Sequence, residues 1–383
     1  MGPSYPRRAV AVNDPMRILG FMTGTSLDAV DMAVLDTDGE AIHGFGPSGE
    51  RKLREDTRAL LLETTRQALA WKRGEPEPAI FDDARRAVAE EHFHAAEGFL
   101  AEHGLAWSEF DLLGVHGQTV LHERPTAERV GRTVQLLDAE RLARLTGRPV
   151  VFDFRTADVA AGGEGAPLAP IYHEARARAS GLAAPVAALN IGGVANITLI
   201  GADGTLLAFD TGPGNGMIDL MLQERGLGRF DEGGRLAAAG AVDEAALSGL
   251  LASAYFAAPA PKSLDRYDFS LDAVAHLSAQ DAAATLVAFT AAAVLKAFDK
   301  NDAPPSALIV CGGGRHNPRI MAALAERVPV PVKAAEDYGW RGDAIEAEAF
   351  AYLAARTARG LPISFPGTTG VKAPMTGGRV VRP

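Results

Sequence analysis

Three short segments combine glycine with Ser, Thr, Asp or Asn in the way a bound phosphate requires: MTGTSLD at 22–28, DTGPGN at 210–215 and CGGG at 311–314. A phosphate is held by backbone N–H groups turned into a concavity, where a side chain would block the approach and a hydroxyl adds a donor. Gly24, Thr25 and Ser26, then Thr211, Gly212, Gly214 and Asn215, then Gly312, Gly313 and Gly314, are therefore candidate nucleotide-binding residues. None of the three segments is a Walker A or a Rossmann fingerprint, so the nucleotide fold is another one. Asp210 ends the apolar run TLLAF directly before a glycine turn, which suits a general base; an Asx cap of the same turn is the competing role. His116, Gln118 and Thr119 of HGQT put three polar side chains around a glycine, a pattern suited to a polyol. Arg155 offers a bidentate fork for a carboxylate, against the alternative of a surface arginine. Glu346 and Glu348 lie two apart on an expected helix, so they face different ways and cannot form a dyad.

The elements that must position these residues are those of an α/β protein. RILGFMT and AVDMAVLDT read as a strand hairpin around the first glycine turn, with Val30, Met32 and Val34 alternating inward. Residues 52–72 and 83–103 read as helices, with Gly104 as a stop. DLLGVHGQTV and RPVVFDF read as strands that deliver polar residues at their ends. PVAALNIGGVANITLI, TLLAFDTGPGN and SALIVCGGG repeat the strand-then-glycine unit, which implies a duplicated α/β core with two glycine-rich faces. The neighbouring histidines His92 and His94 lack zinc-helix spacing and read as surface, and Cys311, at the end of an apolar strand, reads as a small hydrophobe.

The chain has 383 residues, 47% hydrophobic and 22% charged, with 38 Lys+Arg against 48 Asp+Glu and a net charge of −10. Disorder and coiled coil are excluded by that composition, and the acidic balance gives no footprint for nucleic acid or an anionic membrane. One cysteine excludes an intrachain disulfide and a thiolate metal cluster. Residues 1–15 read as a loose leader without a secretory h-region, which places the protein in the cytoplasm.

The succession GTSLDAVD (24–31), HGQT (116–119), DFR…GGEGAPL (153–168), LNIGGVANIT (189–198), FDTGPGN (209–215), PKS (261–263), CGGGRHN (311–317) and EAEAFAYLAARTARGLP (346–362) resembles the anhydro-N-acetylmuramic acid kinase family, over nearly the whole chain after Met16. The resemblance implies a two-lobed actin-like fold with an active-site cleft between lobes: lobe I from 16–153 and 361–383, lobe II from 154–360. It implies ATP and Mg²⁺ as cofactors, an anhydro amino sugar as substrate and a homodimer. The implied reaction uses water to open the 1,6-anhydro bridge and ATP to phosphorylate the freed O6, giving N-acetylmuramic acid 6-phosphate for cell-wall recycling. Because O6 carries no proton, the base must act on water, and the resemblance assigns that role to Asp210, with Glu346 orienting water or a sugar hydroxyl. It extends the phosphate hairpin to Leu27, Asp28, Ala29, Val30 and Asp31, with Asp28 holding Mg²⁺ through water. Arg155 then meets the lactyl carboxylate or an acyl oxygen, and Lys262 a phosphate or the sugar. The chain departs from the family pattern at Thr156 and Ala157, where relatives carry arginines, at Leu136-Leu137-Asp138, at Glu164 in a place often held by Gln, and at Ala29 in a place often held by Gly. An ordinary sugar kinase of the same fold, with Asp210 deprotonating a hydroxyl, and a non-catalytic sugar sensor are the alternative readings.

Overall fold

Continuous apolar runs and period-two alternation form the strands of this computed structural model, which describes residues 14–126, 128–264, 268–298 and 304–383. Of the expected leader, residues 1–13 lie outside the described residues. In chain order the strands are β1 (Met16–Thr23), β2 (Ala29–Thr37), β3 (Ile42–Lys52), β4 (Leu112–Val115), β5 (Gln118–Glu123), β6 (Arg132–Leu136), β7 (Val150–Phe152), β8 (Val186–Ile191), β9 (Val194–Ile200), β10 (Leu206–Pro213), β11 (Leu308–Cys311), β12 (Val332–Ala334) and β13 (Arg379–Val381). The GFGPSG string at 44–49, which has Rossmann spacing, lies inside β3 and forms no strand-to-helix loop.

The chain divides into two compact units, the first from Met1–Ala160, Glu346–Ile363 and Met375–Pro383, the second from Ala161–Ile345 and Ser364–Pro374. The first unit's main sheet has the order β13-β7-β4-β1-β2-β3 and the second unit's sheet β10-β9-β8-β11-β12. In both, three successive strands form an antiparallel meander, and two later strands add in parallel on the far side of the first. Strands β1, β2, β3, β4 and β7 thus correspond to β8, β9, β10, β11 and β12. This repeat is the duplicated α/β core that the strand-then-glycine units imply. Each parallel addition needs a crossover, which helices supply: Glu55–Ala70 and Ile80–His103 before β4, Ala139–Thr146 before β7, Ala279–Phe298 before β11 and Pro318–Arg327 before β12. Helix Ile80–His103 stops where Gly104 turns left-handed at φ 64 and its N–H caps Leu100 O. Helix Ala279–Phe298 is long and apolar enough to cross a membrane, yet most of it is buried in the second unit's core with Phe209, Ile197 and Leu308.

The expected boundaries at 153/154 and 360/361 are corrected. Helix Ile345–Ala358 packs its backbone onto β1 and β4, so closely that a Cβ on Gly20 would stand 2.0 Å from Ala347 O and one on Gly114 2.3 Å from Phe350 O. From Glu346 onward it therefore belongs with the first unit. Residues 154–160 join it through helix Thr156–Ala160, which packs on β6. The segment Ser364–Pro374 returns to the second unit, where Gly367 lies against Leu206 O of β10.

Candidate active site

In the first unit, the turn joining β1 to β2 leaves Thr25, Ser26 and Asp28 exposed and Gly24, Ala29 and Asp31 half-buried. Leu27 holds the turn in shape. Its φ is 56, an uncommon value for a branched residue, while its side chain is buried in the core and its N–H donates to Gly24 O at 3.3 Å. Leu27 and Val30 were expected to contribute to a nucleotide site; their side chains instead enter the hydrophobic core, so any contact from them is through the backbone. Beneath the turn, Gln118 Nε2 donates to Gly24 O at 3.3 Å and Thr23 Oγ1 to Gly117 O at 3.1 Å.

HGQT does not expose three polar side chains. Gly117 takes φ 76, and His116 and Gln118 are 3% and 1% exposed. Thr119 is half-buried, its hydroxyl accepting from Gln135 Nε2 at 3.2 Å. His116 acts on Arg155: Arg155 Nε donates to His116 Nε2 at 3.0 Å, which places the ring proton on Nδ1. Burial, reinforced by the arginine's charge, holds this imidazole well below its ordinary range, so it stays neutral. Arg155 follows Asp153, whose φ of 58 turns the chain sharply at the end of β7. Burial lowers the guanidinium to about 10, opposed by the charges of Glu346 and Asp158. Glu346, in the first turn of helix Ile345–Ala358, reaches solvent from a recessed position that raises its carboxyl above the usual range, against the pull of Arg155. The structure thus brings Arg155, His116 and Glu346 together within the first unit. Glu348 is fully buried, facing away as the spacing predicts.

In the second unit, β10 does not end at Asp210 as expected but runs on to Pro213, and a register shift between Asp210 and Gly212 sets a bulge within it, a device that re-aims a side chain. Asp210 Oδ2 accepts the Leu264 N–H at 2.7 Å, its own N–H donates to Lys262 O at 3.0 Å, and Tyr255 Oη donates to its carbonyl. The carboxylate is thereby fixed by the PKS segment and remains half-buried. Lys262 supports that segment: its Nζ donates to Tyr255 O at 2.7 Å and lies 4.2 Å from the Tyr255 ring centre. Ser263 Oγ donates to Glu164 Oε2 at 2.8 Å.

The DTGPGN segment differs from the expected open cradle. The N–H groups of Gly214 and Gly216 donate to Gly193 O, both at 3.0 Å, and that of Asn215 to Gly192 O at 2.7 Å. Thr211 is buried with its hydroxyl on Ala195 O, and a Cβ on Gly212 would meet Ala293 Cβ at 2.8 Å. These residues pack the β10 end against the β8–β9 turn. That turn, Gly192–Gly193, is the counterpart of Gly24–Asp28 by the sheet repeat, and a side chain on Gly193 would meet open space. Nothing local in the NIGG segment marks it as functional; the repeated strand–glycine–strand pattern is the one signal in the sequence that points to it.

Gly312, at φ 72, leaves β11 beside Asn190, whose Oδ1 a Cβ there would meet at 2.3 Å. Arg315 fixes the loop by donating to Gly312 O at 2.9 Å while paired with Asp343 and Glu336, each at 2.8 Å. Gly313 and Asn215 then line a cavity of about 340 Å³ together with Asp219, Phe230, His316 and Asn317. Phe230 is 62% exposed at this cavity, an aromatic face unexplained by packing. Asn317 Oδ1 caps helix Pro318–Arg327. Asp219, Phe230, His316 and Asn317 carry no local motif and were not found from sequence. The four lack an Arg or Lys, so the lining suits the uncharged part of a nucleotide better than its phosphates.

A family model described as anhydro-N-acetylmuramic acid kinase matches residues 16–382. The anhydro-N-acetylmuramic acid kinase of Caulobacter vibrioides is 82% identical over 366 residues, covering 96% of this chain and 99% of its own. That of Phenylobacterium zucineum is 70% identical, with 96% and 100% covered, and that of Rhizobium rhizogenes 49% identical, with 96% and 99% covered. With a match of that span and relatives of that identity along nearly their whole length, the chain belongs to the anhydro-N-acetylmuramic acid kinase family.

Proposed function

We propose that the protein opens the 1,6-anhydro bridge of anhydro-N-acetylmuramic acid with water and transfers the γ-phosphoryl group of ATP to the freed O6. In this reading Asp210 takes the proton of the attacking water, whose oxygen bonds to C1 as the C1–O6 bond breaks. O6 then bonds to the γ-phosphorus as its bond to the β,γ-bridging oxygen breaks, releasing ADP. The observation that carries the reading is the bulge in β10 at Asp210, whose half-buried carboxylate accepts the Leu264 N–H.

The remaining roles follow from placement. The exposed Thr25 and Ser26 turn and its counterpart at Gly192–Gly193 supply small or hydroxylated residues for phosphate, and the cavity beside Gly313 and Phe230 accepts the nucleoside. Arg155, oriented by neutral His116 and balanced by Glu346, offers its guanidinium charge to an anionic or acyl oxygen of the sugar. Among the described residues no three His, Cys, Asp or Glu side chains gather as a metal site. That donor set fits a Mg²⁺ ion bound chiefly by phosphates and water, with exposed Asp28 as an outer contact. When bound, the ion would offset phosphate charge. The product, N-acetylmuramic acid 6-phosphate, belongs to cell-wall recycling.

Mass spectrometry of the product formed from ATP and the anhydro sugar in H₂¹⁸O tests the reading. Label at C1 with one phosphate added is expected. A phosphorylated product without solvent oxygen would refute it in favour of ordinary hydroxyl phosphorylation, and binding without turnover in favour of a sensor.

A further inference from the structure

The first unit buries His92, which its sequence places on the surface, together with the neighbouring Glu91. Glu91 and His92, on helix Ile80–His103, are 5% and 1% exposed. With Gln118 they line a small cavity walled by Val30, Leu53 and Val88. The space left for the centre of a water molecule is about 10 Å³, room for one. Most of the polar lining is engaged. Glu91 accepts from Arg54 N–H at 3.1 Å, Arg54 Nε at 2.8 Å and Thr57 Oγ1 at 2.8 Å. Thr23 donates to Gly117 O. Two buried atoms, His92 Nε2 and Gln118 Oε1, have no partner among the described residues.

Both of these atoms are acceptors. His92 Nδ1 lies 2.8 Å from Val88 O, a carbonyl that can only accept, so Nδ1 carries the proton and Nε2 the lone pair. Gln118 directs its Nε2 to Gly24 O and Thr119 O, which leaves Oε1 for the cavity. Two acceptors around a space for one small molecule call for a ligand with two donors.

We infer that this cavity binds a single water, donating one hydrogen to His92 Nε2 and the other to Gln118 Oε1, and that His92 is through it a positioning residue for the Gly24–Asp28 turn. The water selects one orientation of the Gln118 amide. Flipped, that amide would set its oxygen against Gly24 O, acceptor facing acceptor, and the turn would lose its support. The positioning role rests on the proposed phosphate-holding function of the turn; the water site does not.

A high-resolution crystal structure of the full chain should show one water within hydrogen-bond distance of both atoms; a dry cavity or a flipped Gln118 overturns the site. Kinetics test the role. His92→Phe, which removes the acceptor, is expected to raise KM for ATP about tenfold with kcat nearly unchanged, and His92→Gln, which restores an acceptor, to recover most of it. Should the Phe variant not fold, His92→Leu replaces it. A normal KM in a folded Phe or Leu variant overturns the positioning role, since a merely structural histidine would move Tm and leave KM alone. If the wild-type chain does not turn over ATP, the functional reading fails instead, and the crystal structure still decides the water site.

Discussion

Asp210→Asn separates the chemistry of this residue from its structural duty. Asp210 Oδ2 accepts the Leu264 N–H at 2.7 Å, and its backbone N–H holds Lys262 O at 3.0 Å. An asparagine carbonyl oxygen in the same place accepts the same N–H, and the backbone bond is unaffected. The change from a charge-assisted to a neutral hydrogen bond costs about 1 kcal/mol. For a unit of this size that is roughly 2–4 °C in Tm. The catalytic loss is of another order. An amide cannot take a proton from water, and removing a positioned general base lowers rates by about 10²–10⁴-fold, some 3–5 kcal/mol in the barrier. Continuous measurement of ADP release, with thermal unfolding of the same preparation, should therefore show kcat reduced at least about a hundredfold at nearly unchanged Tm. A variant that retains kcat within about tenfold would show that no proton passes through this carboxylate.

Phe230→Ala should raise KM for ATP about five- to tenfold while leaving kcat and Tm nearly unchanged, because the ring is 62% exposed and supports little of the core; an unchanged KM would remove the nucleoside from this cavity. His92 and His173, fully buried, are held down from 6.5 to about 4 by loss of hydration. The unfolded chain binds these protons more readily, so their contribution is intact above pH 6.5 and is lost as pH falls towards 4, by roughly 3 kcal/mol for each. Urea denaturation across that range should show the decline, and a flat profile would contradict it. Gly114→Ala should destabilise the first unit by at least about 1–3 kcal/mol, since its Cβ would lie 2.3 Å from Phe350 O; wild-type denaturation would refute so close a helix–sheet contact.

Much of the architecture is written locally. The alternation of Val30, Met32 and Val34, the helix stop at Gly104 and the strand-then-glycine units reappear as β2, a left-handed cap at φ 64 and two sheets of matching order. Glu346 and Glu348 on opposite faces were also fixed by period, whereas β10 runs on past Asp210 to Pro213, beyond the strand end that the apolar run TLLAF marks. Short-range order suffices for such features, because hydrogen-bond geometry and side-chain periodicity are set within a few residues.

Other features depend on partners distant in the chain. The sequence of DTGPGN cannot tell whether its N–H groups face a phosphate; only the pairing of β10 with β9 brings Gly192 and Gly193 within their reach. His116 looks like a sugar ligand until Arg155, 39 residues later, donates to its ring, and His92 looks exposed until helix Ile80–His103 is laid against the core of the first unit. The helix beginning at Ile345 shares its composition with either unit's helices, and its assignment came from the absence of a Cβ at Gly20 and Gly114. The amino-acid order alone determined which residues could form strands, turns and acids. Tertiary structure decided which polar groups remain available to a substrate, because a hydrogen bond satisfied by a remote segment leaves no mark on the residues around it.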